Sequence, residues 1–174
     1  MPNATTSNWE AARDDFVAQW GALGSHWGIN RTMAQIHALL MTAPEPMFTD
    51  EIMDKLEISR GNANTNLREL VGWGLIQVIH RKGERREYFQ AEKDVWKMFL
   101  IIARERKRRE IEPALQVLKS CSERTKEDSS AAGKEFHHQM KELQEFVEFG
   151  IKVSDTVSSM KHASALQWAM KLLG

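Results

Sequence analysis

The side chains most able to do chemistry are thinly spread in this sequence, and their spacing decides what they can do. Its six histidines are His26, His37, His80, His137, His138 and His162. None pairs with cysteine or carboxylate at a spacing that builds a recognisable metal site, and the adjacent His137 and His138 point to different sides of a helix. They read as surface or partly buried histidines. The one cysteine, Cys121, has no partner for an intrachain disulfide, which fits a reducing cytoplasm. It reads as a small apolar residue on a helix rather than as a redox sensor, although Lys119 and Arg124 lie close by. No nucleophile elbow, P-loop or metalloprotease motif is present. The expectation is a chain that is not an enzyme and needs no cofactor or metal.

A different kind of chemistry is concentrated between Ile58 and Phe89, where five arginines, three asparagines and four glycines fall within one short stretch. The formal net charge of the 174-residue chain is zero, but it is unevenly distributed. From Met1 to Ile58 three Lys/Arg face eight Asp/Glu; from Ser59 to Glu110 thirteen face seven; from Ile111 to Gly174 eight face nine. A local excess of six positive charges inside a neutral chain is the electrostatic footprint of a polyanion partner.

These residues must be positioned by the elements around them. Trp9, Phe16, Val17, Trp20 and Leu23 make a helical stripe that Gly24 is expected to stop. A second helix follows the N-cap Asn30, buries Met33, Ile36, Leu40 and Met41, and ends before Pro44 and Pro46. Met47 to Thr49 form a strand-like bridge. Thr49 then caps a short helix that buries Ile52, Met53 and Leu56. Ser59 caps the next helix, in which Ala63, Leu67, Leu70 and Val71 share one apolar face and which Gly72 and Gly74 end. Leu75 to Ala91 reads as a hairpin with a charged tip around Gly83. From Asp94 the pattern is helical, with a kink or restart at Pro113. The segment KEDSSAAGK reads as a linker. Beyond it, Phe136, Met140, Leu143, Val147, Gly150 and Ile151 form a stripe, with a break expected near Ser154 to Ser159 and a last helix carrying Met160, Ala163, Leu166, Met170 and Leu173. The fold class expected is mainly α with a small β-hairpin wing: a winged helix-turn-helix head plus long C-terminal dimerisation helices. The expected divisions are residues 1–29, an N-terminal helix packing on the dimerisation region; 30–92, the DNA-binding head; and 93–174, the helical dimerisation region.

With Ala63 turned inward, Gly61, Thr65, Arg68 and Gly72 point outward, Asn62 and Asn64 flank them, and Asn66 lies nearer the core. Arg68 suits guanine O6/N7, Asn62 or Asn64 suits adenine N6/N7, and Thr65 suits a thymine methyl. Ser59 and Arg60, at the helix start, suit a phosphate. Arg81, Lys82, Arg85 and Arg86 at the hairpin tip suit the backbone or a minor groove. The competing readings are an ordinary solvated helix and a solvated hairpin tip. Against the first, three asparagines and a glycine carry a helix-propensity cost that Glu, Lys or Gln would avoid. The run RERKRRE, Arg104 to Glu110, spreads its charges around the helix and reads as a solvated face with Glu105–Arg109 and Arg106–Glu110 pairs; dimer-interface ion pairs and a second phosphate contact are the other readings.

The pieces SRGNxxxNLREL…WGL and GxRxEYFxAEKD, within a match over roughly Gly21 to Ala114, resemble the GbsR-type branch of the MarR superfamily of winged helix-turn-helix regulators. The resemblance implies a homodimer, pseudo-palindromic double-stranded DNA operators and transcriptional control, repression included. It also brings forward a small-molecule effector such as choline or another quaternary ammonium, for which Trp20, Trp27 and Trp96 are the aromatic candidates beside the joints of the head. Core packing is the other reading of these tryptophans. The polar, acidic N-terminal sequence is not expected to be a signal peptide, and the apolar run VWKMFLIIA is too short and interrupted to span a bilayer. A cytoplasmic protein with no membrane partner is expected. The alternative function is a winged-helix protein-interaction module without specific DNA binding.

Overall fold

The computed structural model describes residues 7–160, so the expected last helix lies outside the described residues. The chain divides into two compact units, Met1–Met98 and Phe99–Gly174. In chain order the elements are α1 (Asn8–His26), α2 (Arg31–Thr42), β1 (Met47–Phe48), α3 (Thr49–Leu56), α4 (Arg60–Trp73), β2 (Ile76–His80) and β3 (Glu87–Ala91), followed by α5 (Val95–Arg106), a π-helical turn (Lys107–Ile111), α6 (Glu112–Thr125) and α7 (Ala131–Ser159). The fold is mainly helical with one small antiparallel sheet in the order β1-β3-β2. A winged helix-turn-helix accounts for the first unit: α3 and α4 are joined by a tight turn, and the β2–β3 hairpin follows directly.

The core of the first unit is built from three helices. Ile36, Leu39 and Leu40 of α2, Ile52 of α3, and Leu67 and Leu70 of α4 are its largest fully buried side chains. Ala63 is also fully buried, so the inward face of α4 is the expected one, except that Val71 remains 37% exposed. In the sheet, Met47 pairs with Phe89 and Phe48 with Tyr88, while Val78 and Ile79 pair with Phe89 and Tyr88 from the other side. Thus β3 is the central strand, and the two-residue bridge is its second partner.

Three helix boundaries differ from expectation, each for a local reason. Gly24 does not stop α1. It lies inside the helix, buried against α2, where an added Cβ would sit 2.7 Å from the Ala34 Cβ. Gly21 is equally tight, with Gln35 Cγ at 2.4 Å, so these glycines permit α1 and α2 to approach closely. The helix ends at His26, two residues ahead of Gly28, whose φ of +75° supports bonds from Gly28 N–H to the Ser25 carbonyl and from Ile29 N–H to the Gly24 carbonyl. The same arrangement at Gly74 ends α4, which runs through Gly72. Thr49 is the first residue of α3 rather than its cap, because the Glu51 carboxylate accepts from Phe48 N–H at 2.9 Å.

The second unit departs further. The helix restarts at Pro113, as expected: α6 begins at Glu112 with the proline in its first turn, while the chain stays helical from α5 through the π-helical turn. The turn ahead of the proline widens, with Glu112 N–H reaching the Lys107 carbonyl, and so accommodates a ring that carries no donor. The expected linker is largely structured. Ser130 caps α7 by accepting from Gly133 N–H at 3.0 Å, and Asp128 accepts from both the Ser130 amide and its hydroxyl. The expected break near Ser154 is absent, and α7 continues to Ser159. Cross-helix bonds join α6 to α7: His137 Nδ1 lies 2.9 Å from the Ser122 carbonyl, and Lys119 pairs with Glu148 at 3.0 Å. The stripe expected on α7 resolves into two faces. Met140, Gln144, Val147 and Ile151 are half-buried, whereas Phe136, Leu143, Phe146 and Phe149 are exposed.

Candidate nucleic-acid interface

The turn between α3 and α4 sets the pose of α4. Glu57 closes α3 in the left-handed region at φ 52° and ψ 44°, and Ile58 N–H reaches back to the Met53 carbonyl. Two residues later the Ser59 side chain accepts from Asn62 N–H at 3.3 Å and starts α4. The Ser59 hydroxyl therefore serves as the helix cap that the sequence suggests.

Along α4 the exposed positions are Arg60, Gly61, Asn62, Thr65, Arg68, Val71 and Gly72. An added Cβ at Gly61 or Gly72 would meet nothing within 4 Å. No internal contact therefore requires glycine at either position, although glycine within a helix costs about 0.5–1 kcal/mol relative to alanine. The resulting face has bare backbone at both ends and a hydroxyl, a methyl and a guanidinium between them. These are groups able to meet base edges and the thymine methyl in a major groove.

The three asparagines separate into different roles. Asn66 is buried at 4% exposure and donates from Nδ2 to the Asn62 backbone carbonyl at 2.8 Å and to Asn62 Oδ1 at 2.7 Å. Asn62 Nδ2 donates in turn to Thr32 Oγ1 of α2 at 3.3 Å. The Asn62 amide is thus engaged at both ends, holding α4 to α2. Asn64 is half-buried and has no side-chain hydrogen bond among the described residues. Of the two asparagines expected as base readers, Asn64 is the one with its amide uncommitted.

The cations are also divided. Arg60 pairs with Asp50 of α3 at 2.5 Å. Arg68, Lys82 and Arg85 are exposed and have no carboxylate partner among the described residues. At the hairpin tip, Gly83 takes a φ of +86°. The Arg81 guanidinium lies 4.1 Å from the centre of the Tyr88 ring, and that of Arg86 lies 4.7 Å from the centre of the Phe48 ring. The two rings meet edge to face at 5.8 Å. Tyr88 O–H donates to the Glu84 carboxylate, and this bond holds the phenol above its usual pKa. The wing therefore has two cations stacked on an aromatic pair and two, Lys82 and Arg85, that project freely. Thr32, Asp50, Phe48 and Tyr88 were not among the site residues expected from sequence. Their roles depend on pairing with residues far along the chain, which periodicity does not register.

The remaining candidates are placed as follows. Trp20 packs against Phe16 with ring centres 5.3 Å apart, Trp27 is 62% exposed, and Trp96 is half-buried in the first turn of α5. The charged run forms its expected pairs, Glu105–Arg109 at 3.5 Å and Arg106–Glu110 at 3.6 Å, with a closer contact from Arg108 to Glu105 at 2.6 Å. Among the described residues no group of three or more His, Cys, Asp or Glu could hold a metal ion, and no helix is long and apolar enough to cross a membrane. His37 is buried in the core of the first unit at 4% exposure, its Nε2 has no partner, and desolvation lowers its pKa to about 4.

The fold and this face define a winged helix-turn-helix. A solved structure described as that of a transcriptional regulator is similar to the chain, with a TM-score of 0.66 and 19% sequence identity, and the alignment covers 84% of this chain and 95% of that one. No family model and no curated protein matches the sequence.

Proposed function

We propose that this chain is a sequence-specific regulator of transcription that binds double-stranded DNA as a homodimer. The observation that carries the reading is the outward face of α4. Two glycines without any internal packing role bracket Thr65 and Arg68, with the uncommitted Asn64 alongside. A backbone left bare at a propensity cost makes sense where another molecule must come close. Arg68, Asn64 and Thr65 read bases; Ser59 and Arg60 meet phosphate; Arg81, Lys82, Arg85 and Arg86 place the wing on the adjoining backbone or in a minor groove. The similarity of fold to a transcriptional regulator and the sequence resemblance to the GbsR-type branch of the MarR superfamily both support the reading.

Homodimerisation is proposed through the helices of the second unit. Phe146 and Phe149 of α7 are 74% and 64% exposed, and Val117 of α6 is 62% exposed, which is costly for a lone chain in water. A two-fold dimer would present two heads to half-sites about one helical turn, ~34–36 Å, apart. Residues 30–92 would then be the DNA-binding head and 93–174 the dimerisation region, in a cytoplasmic repressor. A quaternary ammonium effector would act only through a difference in affinity for two head separations, with Trp20, Trp27 and Trp96 as its aromatic contacts.

Selection of bound sites from random duplex DNA tests the reading directly. A two-fold-symmetric consensus, together with affinity that falls steeply with salt, supports it. Absence of any duplex binding at low salt refutes it and leaves the protein-interaction module. Sedimentation at micromolar concentration tests assembly, and a stable 20.0 kDa monomer would rule out the dimer. Titration with choline, followed by operator affinity, tests the effector.

A further inference from the structure

Arg60 stands at the start of α4, beside the cap Ser59, yet its guanidinium is taken by Asp50. The pair spans the helix-turn-helix, from the first turn of α3 to the first residue of α4. Asp50 lies in the first turn of α3, where a carboxylate suits the helix dipole, but the capping bond is made by Glu51 through Phe48 N–H, and the dipole does not require the contact with Arg60. Burial does not account for it either, since the two side chains are 61% and 48% exposed. An exposed pair of this kind contributes little to the stability of the fold. What the pair does is hold a carboxylate against the guanidinium that the proposed function assigns to a DNA phosphate.

We propose that Asp50 is a built-in competitor for the phosphate contact of Arg60 and thereby sets the affinity and salt sensitivity of the recognition helix. The inference rests on the DNA-binding reading. When Arg60 exchanges its carboxylate for a phosphate, the DNA releases a condensed cation but the freed Asp50 attracts one. The net ion release from this contact is close to zero, whereas an unpaired arginine contributes a full unit to the salt dependence. Asp50 thus acts through Arg60 as a positioning residue, weakening the contact without touching DNA itself.

The test measures operator affinity over a salt series for Asp50→Asn, with Asp50→Ser as a second variant that also suits a helix start. Asp54→Asn, an exposed carboxylate on the same helix, is the control for general charge. The expected result for Asp50→Asn is roughly three- to tenfold tighter binding at low salt and a salt slope steeper by about one per head. In an Arg60→Ala background the gain should shrink to that of Asp54→Asn. Equal gains from Asp50→Asn in both backgrounds, or an unchanged slope, would overturn the competitor role while leaving DNA binding intact. A wild-type protein that binds no duplex at low salt overturns the functional reading, and this inference with it.

Discussion

Gly61 and Gly72 offer a test in which stability and function should move in opposite directions. Both lie in α4, neither has a positive φ, and a methyl group at either would meet nothing within 4 Å. Replacing each with alanine therefore introduces no clash. It removes backbone freedom from the unfolded chain and should stabilise the fold by up to about 0.5 kcal/mol at each, below the mid-helix value because Gly61 lies in the first turn of α4 and Gly72 in the last. Urea unfolding would show this as a higher midpoint at unchanged slope. If the bare backbone exists to let DNA approach, the same methyl groups should push the duplex away. A loss of about tenfold in operator affinity corresponds to about 1.4 kcal/mol, a modest penalty for one displaced close contact. The informative outcome is the pair of measurements. Stabilised variants that bind DNA as well as the wild type would refute the close-approach argument, and variants that were not stabilised would show that glycine serves the fold.

The other expectations concern the core, the reading face and the turns. His37 has a folded pKa of about 4 against 6.5 unfolded, so its contribution to stability is complete above pH 6.5 and is lost as pH falls toward 4; the loss at pH 5 is about 2 kcal/mol. His37→Leu should flatten the pH dependence of the urea midpoint between pH 7 and 5, and parallel profiles for the two proteins would defeat the assignment. Arg68→Ala should cost about 1–3 kcal/mol of operator binding and relax specificity at one position per half-site, as read by binding to single-substituted operators. Gly24→Ala places a methyl 2.7 Å from the Ala34 Cβ and should destabilise the first unit by about 1–3 kcal/mol in thermal unfolding. Glu57→Gly relieves a left-handed backbone at φ 52° and should stabilise by about 0.5–1 kcal/mol, measured by urea unfolding.

Features governed by neighbours along the chain were legible in the sequence. Asn30 and Ser59 cap helices because their short polar side chains reach an amide three residues on, at 3.1 Å and 3.3 Å. The hairpin follows from two apolar runs around Gly83, and the inward face of α4 follows from the spacing of Ala63, Leu67 and Leu70. Such signals depend on backbone geometry within a turn or two, so residue type and spacing carry them. The second helical unit was less legible. Phe136 and Met140 look alike in a helical pattern, yet one is exposed and the other half-buried, since only the packed neighbour distinguishes two apolar faces. Gly24 reads as a stop by residue type and becomes a contact only when α2 lies against it. The engagement of the candidate site was likewise decided in three dimensions. Thr32 lies thirty residues before Asn62, and Asp50 lies ten before Arg60. Composition showed that amides and cations were gathered in one place. Which of them are bound within the chain, and which are left to face a partner, depends on distances that exist only once the helices have packed.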